Sequence, residues 1–113
     1  MIDWPVILKH ANDPELDYFE NLGALEKGVS QYKSGIDEDD YLVDAGGRVY
    51  AVVLPETGEV QLKDLGKQKT LEQVLGLVKA HAAQEKSCCV AKLWAPTIRE
   101  ALAIVHSVTA GNR

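Results

Sequence analysis

Two cysteines are all that this 113-residue chain has, and Cys88 and Cys89 are adjacent. Neighbouring cysteines bridge only under strain, and no C-x-x-C or spaced framework is present. This speaks against a disulfide scaffold and against thiol redox or metal roles, and it fits a reducing compartment. Both cysteines read as small packing residues. Long apolar runs are also missing. Stretches such as Ala51-Val52-Val53-Leu54 fall far short of the roughly 20 residues that cross a bilayer, so no membrane association is expected. Met1-Ile2-Asp3-Trp4-Pro5 has neither the basic nor the apolar region of a signal peptide, and the expected location is cytoplasmic. Internal repeats and low-complexity linkers are absent too. What remains, at 46% apolar and 26% charged residues, is an ordinary composition for one globular domain over 1–113.

The net charge of −5 conceals an asymmetry. Residues 1–60 carry 13 acidic and 4 basic side chains, whereas residues 61–113 carry 4 acidic and 8 basic ones. An acidic chain is a poor general ligand for nucleic acid, where phosphate neutralisation dominates affinity. Solvation and attraction between the halves account for the asymmetry most simply. A basic partner or head-to-tail self-association is the functional alternative.

The best-determined stretch is 41–65, which reads as a three-stranded antiparallel meander. Tyr41-Leu42-Val43-Asp44 and Arg48 to Leu54 are rich in β-branched and aromatic residues. Ala45-Gly46-Gly47 joins them, with a glycine suited to the left-handed bulge position. Pro55-Glu56-Thr57-Gly58 makes a second turn, and Glu59 to Lys63 alternates as a strand with one wet face. Upstream, Pro5 to Lys9 is a continuous apolar run of the kind found in strands covered on both faces. Asn12-Asp13-Pro14 signals a turn, and Leu16 to Glu20 reads as a hairpin partner. Leu22, Leu25 and Val29 have helical spacing after Asn21, a candidate cap, and predict one or two turns.

Leu65 to Lys69 reads as a connector. The helix that follows has a capping box of Thr70 and Gln73 and an apolar stripe through Leu71, Val74, Leu75, Val78 and Ala82. Gly76 within it is expected to allow a close approach to the sheet. Thr97 and Glu100 begin a second helix with Ile98, Ala101, Leu102, Val105 and Val108 inward. Trp94 is expected to pack at its entry and Trp4 at the core or its rim. The expectation is α+β: an antiparallel sheet of about five strands, in two hairpin or meander units, with two C-terminal helices packed on one face. The sheet-forming part covers 1–65 and the helical part 70–109. The order of the strands is open, since the first hairpin can join either edge of the meander.

No constellation specifies a reaction, and no catalytic residue or cofactor is expected. The chain reads as non-enzymatic more readily than as an enzyme. Asp37, Glu38, Asp39 and Asp40 form a contiguous acidic run. Neighbouring strand side chains point to opposite faces, so these four cannot converge on one metal ion. Asp13, Glu15 and Asp17 alternate, but Tyr18 stands where a calcium loop needs glycine. Gly66-Lys67-Gln68-Lys69-Thr70 departs from a phosphate loop in its leading glycine and in the residue after Lys67. A helix start beside two lysines can still hold an anion. His10, His81 and His106 are scattered, and His81 and His106 meet only if the two C-terminal helices pair. No serine lies in a nucleophile elbow.

The stretches Asp3-Trp4-Pro5-Val6-Ile7, Asp13-Pro14-Glu15-Leu16 and Tyr41 to Tyr50 resemble a family of short, functionally uncharacterised proteobacterial proteins. That resemblance implies a stand-alone bacterial cytoplasmic domain and assigns no functional residue. The leading expectation is an interaction or regulatory domain that docks a basic protein partner through Asp37 to Asp40. The rival is a small anionic-ligand or enzyme domain using Lys67, Lys69 and Thr70. A third reading is homo-oligomerisation through a free edge strand.

Overall fold

The structure, a computed structural model, describes residues 2–11, 13–29, 39–53, 60–85 and 93–111. Asp37, Glu38, Cys88, Cys89 and the turn over 55–58 lie outside the described residues. The strands are β1 (Val6–Lys9), β2 (Leu16–Phe19), β3 (Tyr41–Asp44), β4 (Arg48–Val53) and β5 (Gln61–Gln68). The helices are α1 (Leu22–Val29), α2 (Leu71–Gln84) and α3 (Ile98–Gly111). The strands form one sheet in the order β2-β1-β3-β4-β5, every neighbouring pair antiparallel. This is the expected α+β architecture. The first hairpin joins the meander through β1, so β1 lies between β2 and β3.

Alternation along the strands builds two cores. Ile7, Leu16 and Val43 pack against Val74 and Val78 of α2 and Ala101, Leu102 and Val105 of α3. On the opposite face, Val6, Leu8, Phe19, Leu42 and Tyr50 pack with Leu25 and Val29 of α1. The two C-terminal helices therefore share one face as expected, and α1 covers the other. Asn21 caps α1, its Oδ1 accepting from Ala24 N at 2.8 Å. The two layers explain why β1 is apolar at consecutive positions: Val6, Ile7 and Leu8 are all fully buried. Gly28 lets α1 settle on Phe19, since a Cβ there would lie 2.4 Å from the ring.

Three local expectations are corrected. The segment read as a connector from Leu65 is strand as far as Gln68. The strand continues because Gly66, at φ +68°, absorbs an irregularity in the β4–β5 register opposite Val49. Trp94 is 67% exposed, and the neighbouring Ala95 is the residue buried at the entry to α3. Gly76 faces open space and makes no close approach. The N-caps of both C-terminal helices form. Thr70 and Gln73 bond reciprocally, and Thr97 Oγ1 accepts from Glu100 N at 3.1 Å. Trp4 is half-buried at the rim of the α1-side core. Among the described residues no helix is long and apolar enough to cross a membrane.

Candidate functional site

The helices α2 and α3 pack over the β2 side of the sheet, so the same face of β4 and β5 is left partly open. Alternation then aims Tyr41, Val49 and Leu65 at a groove of about 480 Å³. Lys67, Lys69 and Gln73 line it as well, and Asp39 and Asp40 also border it. Asp39 and Asp40, the described part of the acidic stretch, are thus neighbours of Lys67 and Lys69 around one cavity.

A single turn sets the position of the basic wall. Gly47 has φ +88° and approaches the β5–α2 junction so closely that its carbonyl accepts from Lys69 N at 2.7 Å. Gln68 Nε2 donates to the Gly46 carbonyl at 2.6 Å. These bonds fix where β5 ends and α2 begins. The Lys69 ammonium lies 5.3 Å from the centroid of the Tyr41 ring, a cation–π contact. Burial raises the Tyr41 phenol above its ordinary value, so it stays a neutral donor.

Thr70 is committed elsewhere. Its hydroxyl accepts from Gln73 N at 3.2 Å, while Gln73 Oε1 accepts from Thr70 N at 2.9 Å. Of the three residues proposed for an anion, Lys67 and Lys69 line the groove, and Thr70 contributes by holding Gln73 there.

Asp40 is turned inward and is 6% exposed. Its Oδ1 accepts from Ala11 N at 2.7 Å, and its Oδ2 lies 3.2 Å from His10 Nδ1. His10 Nε2 lies 3.2 Å from Asp17 Oδ2. Only the imidazolium donates from both nitrogens at once, so the carboxylates on either side favour the charged ring. Burial pulls the His10 pKa down, but hydrogen bonds and charge from Asp17 and Asp40 outweigh it and hold it above 6.5. Asp39, by contrast, is exposed.

A folded pKa above the unfolded one gives stability that is complete below the unfolded value and lost as pH rises through the folded value. The wild type is therefore expected to lose stability as pH rises above 6.5, by less than about 1 kcal/mol, because Asp17 is partly exposed. His10→Gln is expected to flatten that decline. Thermal melts of both proteins from pH 5.5 to 8.5 check it, and parallel curves would refute it.

The other histidines have structural surroundings. His81 is fully buried on the inner stripe of α2, where its Nδ1 accepts from Leu16 N at 2.9 Å. The exposed His106 sits with its ring centroid 5.0 Å from that of Tyr18. Among the described residues, no three or more His, Cys, Asp or Glu side chains are placed to hold a metal.

Sequence reasoning missed the apolar floor of the groove. Tyr41 and Val49 were legible as strand residues, but which half of the sheet the helices leave open has no local signature. Leu65 was hidden in the supposed connector. His10 was legible only as an isolated histidine, because its partners lie 7 and 30 residues away.

A family model described as a protein structure with unknown function matches residues 4–105. A solved NMR structure of a protein from Shewanella amazonensis superposes with a TM-score of 0.68 at 20% identity. The match covers 95% of this chain and 90% of that one. At that identity the likeness is one of fold. No curated protein matches the chain.

Proposed function

This chain belongs to the DUF4144 family, whose function is unknown, and we propose that it is a non-enzymatic binding domain whose ligand site is the groove over β3, β4 and β5. Lys67 and Lys69 hold an anionic group there. Tyr41, Val49 and Leu65 take the apolar body attached to it, and Gln73 offers an amide. The observation that carries this reading is the convergence of two lysines and an apolar floor on one cavity of about 480 Å³, a volume within the range of small-ligand sites. Docking of a basic protein through the acidic stretch is the second reading. It rests on the exposed Asp39, since the Asp40 carboxylate is bonded inside the fold. A cytoplasmic location belongs to the same proposal and is supported by the cysteine usage.

A titration with 3-phenylpropionate, followed by amide NMR, tests the reading. Saturable shifts are expected for amides between Leu65 and Gln73. Binding of 3-phenylpropanol, which lacks the charge, is expected to be weaker. Lys67→Ala with Lys69→Ala is expected to weaken carboxylate binding about tenfold, or about 1.4 kcal/mol. Equal binding of acid and alcohol, or no saturable shift in this segment, would refute it.

A further inference from the structure

Among the described residues the sheet has two edges of different character. On one, β2 is only four residues long and packs against helices, and its Leu16 N–H is taken by His81. On the other, β5 is the longest strand at eight residues, and seven of the eight are exposed. An open edge presents unpaired backbone groups and is a template for another strand. What it admits is decided by side chains.

A second copy of β5 is a poor partner. Antiparallel pairing that keeps the faces aligned sets Asp64 against Asp64 when centred there. Centred on Leu65, it sets Lys63 against Lys67. Like charges directly opposite are unfavourable. The charges that repel another copy attract carboxylates, so rejection and selection share the same residues.

Alternation decides the pattern. Lys63 is paired with Ala51 and so shares its face with Val49, on which Leu65 and Lys67 also border the groove. The irregularity at Gly66 adds two residues to β5 and so preserves the parity, and that face of β5 carries Lys63, Leu65 and Lys67. Asp64 points the other way, where its Oδ2 meets Arg48 Nη1 at 3.2 Å and its Oδ1 accepts from Gly66 N at 2.8 Å.

We infer that β5 accepts, as a sixth strand, an extended acidic segment of a partner protein with the pattern acidic–x–apolar–x–acidic. The acidic residues meet Lys63 and Lys67, and the apolar residue enters the groove beside Leu65. The addition is antiparallel, as is every neighbouring pair of this sheet; a reversed peptide with the same face inward would present its other N–H edge. Main-chain bonds give affinity and the alternate side chains give specificity. This inference rests on the groove as the binding site and names its occupant.

The test uses fluorescence polarisation with the labelled peptide Thr-Glu-Thr-Leu-Thr-Glu-Thr, blocked at both ends. Two derivatives carry N-methyl groups, one on the threonine nitrogens and one on the glutamate and leucine nitrogens. In a strand these two sets of N–H groups point to opposite edges. Antiparallel addition therefore predicts that one derivative loses at least about tenfold in affinity while the other binds within about threefold of the parent. A lysine-for-glutamate peptide is expected not to bind, and Lys63→Ala with Lys67→Ala is expected to cost about tenfold. The methylated peptides act on the wild-type protein, so the test survives a misfolded variant.

If both derivatives bind like the parent, antiparallel addition to β5 does not occur, and this inference fails while the groove reading stands. The same holds if 3-phenylpropionate binds and the peptide does not. If neither binds, the groove reading falls and this inference with it. A concentration-dependent dimer in sedimentation that Leu65→Lys abolishes would assign the edge to a second copy and overturn the acidic partner.

Discussion

Gly47→Ala is expected to destabilise the fold by about 3 kcal/mol, the largest effect of any small substitution in the β3–β4 turn. Two causes add. A residue with a Cβ held at φ +88° carries a left-handed penalty of about 1–2 kcal/mol. The added Cβ would also lie 2.4 Å from the Lys69 carbonyl oxygen and 2.9 Å from Ile98 Cδ1. The first of these is backbone, which cannot swing aside as a side chain does. Relief requires separating the turn from the β5–α2 junction, which breaks the bond from Lys69 N to the Gly47 carbonyl. For a domain of this size, the melting temperature should fall by about 10 °C.

Two other glycines provide controls. Gly66 is also in the left-handed region, at φ +68°, but a Cβ there meets nothing within 4 Å. Strain alone predicts about 1 kcal/mol for Gly66→Ala. Gly46 is exposed, has no positive φ, and has only Asp44 Oδ1 at 3.5 Å, so Gly46→Ala is expected to cost no more than about 0.5 kcal/mol. Thermal and urea denaturation of the three variants should follow that order. Equal effects at positions 47 and 66 would show that the close approach to Lys69 contributes nothing. Lys69 lines the groove, so Gly47→Ala should also weaken 3-phenylpropionate binding even where the protein remains folded.

Asp44→Ala is expected to cost about 3 kcal/mol by a different mechanism. Asp44 is 1% exposed and its carboxylate accepts three backbone N–H groups. Oδ2 accepts from Asp3 N at 3.0 Å, and Oδ1 accepts from Gly46 N at 2.9 Å and Arg48 N at 2.8 Å. One side chain therefore ties the chain entering β1 to the turn between β3 and β4. Hydrogen bonds to a charged acceptor contribute about 1.5–3 kcal/mol each. Their sum is not realised, because exposed donors such as Gly46 N regain water when the carboxylate is removed. Asp44→Asn keeps one acceptor oxygen and should lose about half as much. Denaturation measures the totals, and amide exchange locates them: protection should fall first at Arg48 N. An Asp44→Ala protein as stable as the wild type would show that the buried carboxylate is not needed.

Much of the fold was legible because its causes are local. The Thr70–Gln73 box, the Thr97 cap, the apolar stripes of α2 and α3 and the glycine turn at 45–47 all follow from residues within a few positions of each other. The continuous apolar run of β1 announced a strand covered on both faces, and the spacing of Leu22, Leu25 and Val29 announced the short helix α1. Gly28 is there to admit the Phe19 ring, a reason found only in the packing. Lys67 and Lys69 were legible as a basic stretch at a helix start. Their apolar floor was not, because Tyr41, Val49 and Leu65 come together only when three strands align beneath an incomplete layer of helices.

By itself, then, the sequence determined most of the secondary-structure elements, though not the length of β5, together with the α+β class. Each of these depends on hydrogen bonding, side-chain periodicity or chemistry within a short span. Only the tertiary structure decided the order β2-β1-β3-β4-β5, the inward turn of Asp40 onto His10 and the meeting of Asp39 and Asp40 with Lys67 and Lys69 around one groove. Such choices depend on contacts between residues tens of positions apart. The energies that select them belong to the packed sheet and helices as a whole, and no short stretch of sequence carries them.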